Sequence, residues 1–173
     1  MPGQGLKISR LLTFLSFFFI ICSLSLTARA DVVNFRELLP LVDIKIPGWA
    51  MAGKPCGTTV KQGKAMVSEA RVSFRSGDKT LEVIIMDFLG KPIPFLAGQQ
   101  MEIESSEETI HLTTVQGFRA LESYRQHDRQ GELNISVADR FWVKLDGEGI
   151  DNLEVLKTAA QQMDLKRLAT LAR

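Results

Sequence analysis

Cys56 has the strongest local case for chemistry. It sits in Lys54-Pro55-Cys56-Gly57. From residue 44 to residue 68 the chain carries four bases (Lys45, Lys54, Lys61 and Lys64) and no acid. Nearby cations favour the thiolate, which is the nucleophilic form of cysteine. Such a thiol could form a mixed or intermolecular disulfide. Without a resolving cysteine or an assigned base such a thiol is more often a small packing residue. The two histidines, His111 and His127, have no second ligand at the spacing of a zinc motif, so each reads as an ordinary strand or turn residue. Glu102, Glu104, Glu107 and Glu108 are the only charges between Lys91 and Arg119. They lack the spaced Asp and Asn around a Gly that a calcium loop uses, and read as a solvated edge that discourages strand-to-strand aggregation. The basic segment 44–68 could lie beside this acidic patch, or either could meet a charged partner. Asp139, Asp146, Glu148 and Asp151 crowd one strand end beside Gly147 and Gly149, where a cation site competes with a turn and a helix cap at Asp151.

The aromatic residues suggest a second kind of chemistry. Trp49, Phe88, Phe95 and Trp142 could line an apolar cleft under the segment 88–100, a setting for a lipid or another apolar ligand. Core packing is the competing reading for each of them. No Gly-rich phosphate loop and no G-x-S-x-G nucleophile elbow occurs in the chain. Asn134-Ile135-Ser136 matches a glycosylation sequon but falls within a strand pattern. No catalytic constellation, metal site or cofactor is expected.

The leader determines where this chemistry would take place. Lys7 and Arg10 precede the apolar run 11–26, and Ala28-Arg29-Ala30 supplies small residues two apart before Asp31. That is the order of a secretory signal and its cleavage site. Sixteen helical residues span roughly 24 Å, short of the ~30 Å hydrocarbon core. An uncleaved anchor and a lipid attached at Cys22 are the competing readings. Cleavage leaves residues 31–173 as a single domain with 18 bases and 20 acids, and with no transmembrane span. Cys56 then has no partner for an internal disulfide. A near-neutral charge gives no basic face for nucleic acid. The expected location is the periplasm or the exterior.

The 173 residues are 45% hydrophobic and 24% charged, a globular composition. Asn34 can cap a short helix with Leu38, Leu39 and Val42 on one face and Pro40 ending or kinking it. Residues 44–68, with Gly48, Gly53, Pro55, Gly57 and Gly63, read as loop or irregular strand. Ala70, Val72 and Phe74 alternate with polar residues, and Leu81, Val83 and Ile85 continue after the turn 76–79. Further strands are expected over 101–105, 109–115, 118–125, 133–137 and 141–145. Asp151 and Asp164 are expected to cap two closing helices. The whole is an α+β domain, an antiparallel sheet of about six or seven strands packed by N- and C-terminal helices.

The leader, Pro47-Gly48-Trp49, the hairpin 70–87, Gly117-Phe118-Arg119-Ala120, Asp139-Arg140-Phe141 and Asp164-Leu165-Lys166 together resemble a group of small exported bacterial proteins of unknown function. The order of elements also resembles the PsbP-like fold. These are packing and turn motifs, so the resemblance implies a fold and export and brings no site residue with it. The expected function is a non-catalytic binding or accessory role, with an unknown protein partner or an apolar small molecule held on a sheet face or by the 44–68 segment. An apolar-ligand carrier and a thiol redox protein using Cys56 are the alternatives.

Overall fold

Asn34 starts the first helix as its chemistry dictates: its side-chain oxygen accepts from the Arg36 backbone N–H at 3.0 Å. Helix α1, Phe35–Val42, buries Leu38, Leu41 and Val42 and runs two residues past Pro40, so the proline ends it within a turn rather than at its own position. The computed structural model describes residues 31–62, 65–89, 103–105 and 107–172. Phe95, Glu102 and most of the segment 88–100 lie outside them.

Nine strands follow among the described residues: β1 (Ala50–Met51), β2 (Cys56–Gln62), β3 (Ala65–Ser76), β4 (Lys79–Asp87), β5 (Ile103–Glu104), β6 (Glu108–Val115), β7 (Phe118–Arg125), β8 (Gln130–Val137) and β9 (Phe141–Glu148). They form one antiparallel sheet in the order β1-β3-β4-β9-β8-β7-β6-β5, with β2 also on the outer side of β3. Helices α2 (Glu154–Gln162) and α3 (Leu165–Thr170) close the chain. The α+β architecture is as expected, with two strands, β1 and β2, beyond the expected number.

The segment 44–68 is a partial correction: of the two readings, loop or irregular strand, the strand holds over β1, all of β2 and the start of β3, and β2 is regular, pairing with β3 from Cys56↔Arg71 to Gln62↔Ala65. Thr58, Thr59 and Val60 supply the β-branched residues, and pairing with β3 overrides the flanking turn signals. Gly57 is needed at its position. A Cβ there would lie 2.6 Å from the Glu69 carbonyl oxygen and 2.9 Å from the Phe35 ring, where α1 crosses the strand. Asp151 is a second correction. It does not cap α2, because it is engaged with Lys79 and Arg129; Asn152 Oδ1 accepts from the Glu154 N–H at 3.0 Å instead. Asp164 caps α3 as expected, accepting from the Arg167 N–H at 2.8 Å.

Alternation assigns side chains to the two faces. One face carries Ala70, Val72, Phe74, Leu81, Val83, Ile85, Leu133, Ile135, Phe141, Val143 and Leu145, all buried in a core shared with Leu38, Leu156, Ala160, Leu165 and Leu168 of the helices. The described residues place no helix on the opposite face.

Candidate functional site

That opposite face is the candidate site. Its rows are fixed by register. Met86 pairs with Trp142, and Trp142 with Ser136. The next row runs Ile84, Lys144, Asn134, Leu121 and Leu112, and the third Glu82, Asp146, Glu132 and Ser123. An apolar patch therefore grades into a row of carboxylates. Ile84, Met86, Trp142 and Leu112 are half-buried, while Leu121 is 8% exposed and Asn134 7%.

Trp142 is held by a polar contact. Its indole N–H donates to Asn134 Oδ1 at 3.0 Å. Asn134 Nδ2 in turn approaches Glu132 at 3.4 Å. The sequon asparagine is thus buried and its amide engaged, which leaves no accessible acceptor for a glycan. Lys144 Nζ lies 3.0 Å from Asp146 and 3.6 Å from Glu132. Burial opposes its charge, but the Asp146 hydrogen bond and the Asp146 and Glu132 carboxylates outweigh burial and hold the Lys144 ammonium above its ordinary pKa. Farther along, Ser73, Arg75, Thr80, Glu82, Asp146 and Glu148 line an open groove of about 460 Å³.

Of the four aromatics considered for a cleft, the structure brings two together. The Phe88 and Trp142 rings lie 6.2 Å apart between centroids and tilted by 31°. Trp49 lies elsewhere, packed against the helix-covered core just before β1. Phe95 falls outside the described residues. Met86, Ile84, Leu121 and Asn134 belong to the patch; Asn134 stood out in the sequence only as a sequon, Ile84 and Met86 only as the opposite apolar phase of their strand, and Leu121 not at all.

Cys56 is exposed at the start of the edge strand β2. Across the β2–β3 ladder it faces Arg71. The Cys56 side chain is the main group raising the Arg71 pKa, followed by the Glu69 and Glu82 charges. Fifteen residues separate the pair, so spacing alone gave no signal of it.

The helix-covered face ends in a buried ion pair, which sequence reasoning missed. Arg140 Nη2 donates to Asp87 Oδ2 at 2.7 Å and to the Asp31 carbonyl at 2.6 Å. Arg140 Nε bridges both Asp87 oxygens at 3.1 and 3.2 Å. Asp87, fully buried, also accepts from the Val33 and Leu89 N–H groups at 2.8 and 2.9 Å. Every Asp87 oxygen is satisfied, so this is a clasp joining residues 31–33, the end of β4 and the β8–β9 turn. It leaves no lone pair aimed at a ligand.

His111 pairs in register with Glu122, on which Lys157 Nζ closes at 3.1 Å. Among the described residues no three His, Cys, Asp or Glu side chains gather as a metal site. Gly147 lies inside β9 rather than at a cation loop. A Cβ there would stand 2.8 Å from Ile150 Cδ1, so the glycine makes room for packing. No helix among the described residues is long and apolar enough to cross a membrane. No protein family, curated protein or solved structure matches this chain.

Proposed function

We propose that the protein is an exported, non-catalytic binding module that holds a protein partner on the open face of its sheet. The carrying observation is the asymmetry of that sheet. One face is covered by three helices, while the other has Ile84, Met86, Trp142 and Leu112 half-buried beside a row of carboxylates, with no described helix over it. An apolar centre with a polar rim is the anatomy of a protein-binding surface. The leader over residues 1–30 supports export to the periplasm or the exterior. The PsbP-like order of elements belongs to this proposal as a likeness of topology.

The Phe88–Trp142 contact supports a second reading, a carrier of an apolar or lipid ligand. One experiment separates the two. A photo-crosslinking residue is placed at Met86 and, as a control, at exposed Thr158 on α2, and irradiated in intact cells. Protein adducts from position 86 and not 158 are expected. Lipid recovered from position 86 by mass spectrometry would favour the carrier. Adducts at neither position, or equal adducts at both, would remove the open face as the working surface.

A further inference from the structure

The buried clasp grips the first residues of the body, directly after the expected cleavage site. Three successive backbone groups are already bonded there. The Asp31 carbonyl accepts from Arg140 Nη2 at 2.6 Å. The Val32 N–H donates to Asp31 Oδ1 at 2.9 Å, and the Val33 N–H to Asp87 Oδ2 at 2.8 Å. The Val32 side chain is buried, at 6% exposure.

These ties differ in strength. Lys61 Nζ meets Asp31 Oδ2 at 2.5 Å, but both side chains are about half exposed, and such a pair holds little. Asp87 is fully buried and the Arg140 side chain only 12% exposed. Undocking residues 31–33 therefore strips hydrogen bonds from a charge pair that stays closed off from water, which is costly. None of these contacts uses a free α-amino group, so all of them can form while residues 1–30 are still attached. An enzyme that cuts a chain holds it as an extended strand through main-chain hydrogen bonds. On the body side of the Ala30–Asp31 bond, the clasp has taken those groups.

On the reading of residues 1–30 as a secretory leader, we infer that the Asp87–Arg140 clasp sets the order of maturation: the leader is removed before residues 31–33 dock, and the folded body protects the junction. The reaction is hydrolysis of the Ala30–Asp31 peptide bond. Water gives its hydroxyl to the Ala30 carbonyl carbon and a proton to the Asp31 nitrogen. Once residues 31–33 dock, cleavage waits on their local opening, and its rate follows the open fraction. A chain that folds early keeps its leader.

The test uses the full chain with its leader, folded in detergent and treated with purified signal peptidase; N-terminal sequencing identifies the product. A second chain carries a flexible segment of about eight residues, Asp followed by Gly and Ser, inserted between Ala30 and Asp31. The insertion moves the scissile bond clear of the clasp and leaves the clasp intact. The unaltered chain should be cut at least about tenfold more slowly than the insertion chain. Arg140→Ala, shown by circular dichroism to be folded, should be cut at close to the insertion rate; Arg140→Lys, which keeps the charge and loses the fork, takes its place where alanine does not fold. Equal rates for the unaltered and insertion chains would overturn the inference and leave the leader reading standing. A folded Arg140 variant cut as slowly as the unaltered chain would overturn the role given to the clasp. No cleavage of either chain would remove the leader reading, and the inference with it.

Discussion

Phe141 and Trp142 are neighbours in the chain and lie on opposite faces of the sheet. Phe141 is fully buried under the helices, while Trp142 is half-buried on the open face and tied to Asn134. Both faces of the same strand are apolar at this point, but among the described residues only one is covered by helices. The helix-covered face serves to hold the fold together, through close packing and the fully satisfied Asp87–Arg140 clasp. The open face carries half-buried apolar side chains beside a row of charges, with no helix over it among the described residues.

The contrast is broken most severely at the clasp. Arg140→Ala leaves Asp87 buried without its cation and should cost about 3–5 kcal/mol in urea denaturation. Phe141→Ala follows, at ~3–5 kcal/mol, since it opens a cavity in a packed core. Trp142→Ala, one residue along, should cost only about 1–2 kcal/mol, including the lost bond to Asn134. The same variant should abolish crosslinking from position 86. Equal losses at 141 and 142 would mean that the two faces are equally packed.

Smaller effects sharpen the comparison. Ala138→Gly touches neither face. Ala138 and Asp139 hold φ of 52° and 51° in the β8–β9 turn, a left-handed pair that disfavours alanine. Glycine there should raise stability by up to about 1 kcal/mol, read as a higher Tm. Lys144→Met on the open face should shift stability by ~1 kcal/mol or less, since the lysine is partly exposed.

The pH dependence distinguishes these groups in sign. Because the folded pKa of Lys144 is raised, its contribution is complete below the ordinary lysine pKa and is lost as pH rises through the folded value. Asp31 and Asp151 behave oppositely. Hydrogen bonds from Lys61, and from Lys79 and Arg129, lower their carboxyl pKa values. Their contribution is present above the ordinary aspartate pKa and lost as pH falls through the folded one. Unfolding midpoints measured across the acid range should lose the Asp151 share of this dependence in Asp151→Asn and keep the Asp31 share.

Much of the sheet was legible from period-two alternation. Residues 70–74, 81–85 and 133–137 each have one strictly buried phase, and the structure buries that phase under helices. The caps at Asn34 and Asp164 were legible because a cap is a contact over two or three residues. β2 was not, because an edge strand shows weak burial contrast and its flanking Gly and Pro residues signal a turn. Of the open-face site, Trp142 and Phe88 were visible as aromatics. Their grouping, and the exclusion of Trp49 from it, depended on strand order.

The amino-acid order alone determined the alternating phases, the caps, the leader pattern and the separate basic and acidic stretches, since each is set by neighbours within a few residues. Only the tertiary structure decided that Arg71 faces Cys56, that Arg140 reaches Asp87 and Asp31, which apolar phase lies under helices, and that the two charged stretches end at opposite edges. Those outcomes follow from the register and order of strands distant in the chain. Burial of all the apolar rows at once sets that arrangement, and no local window contains it.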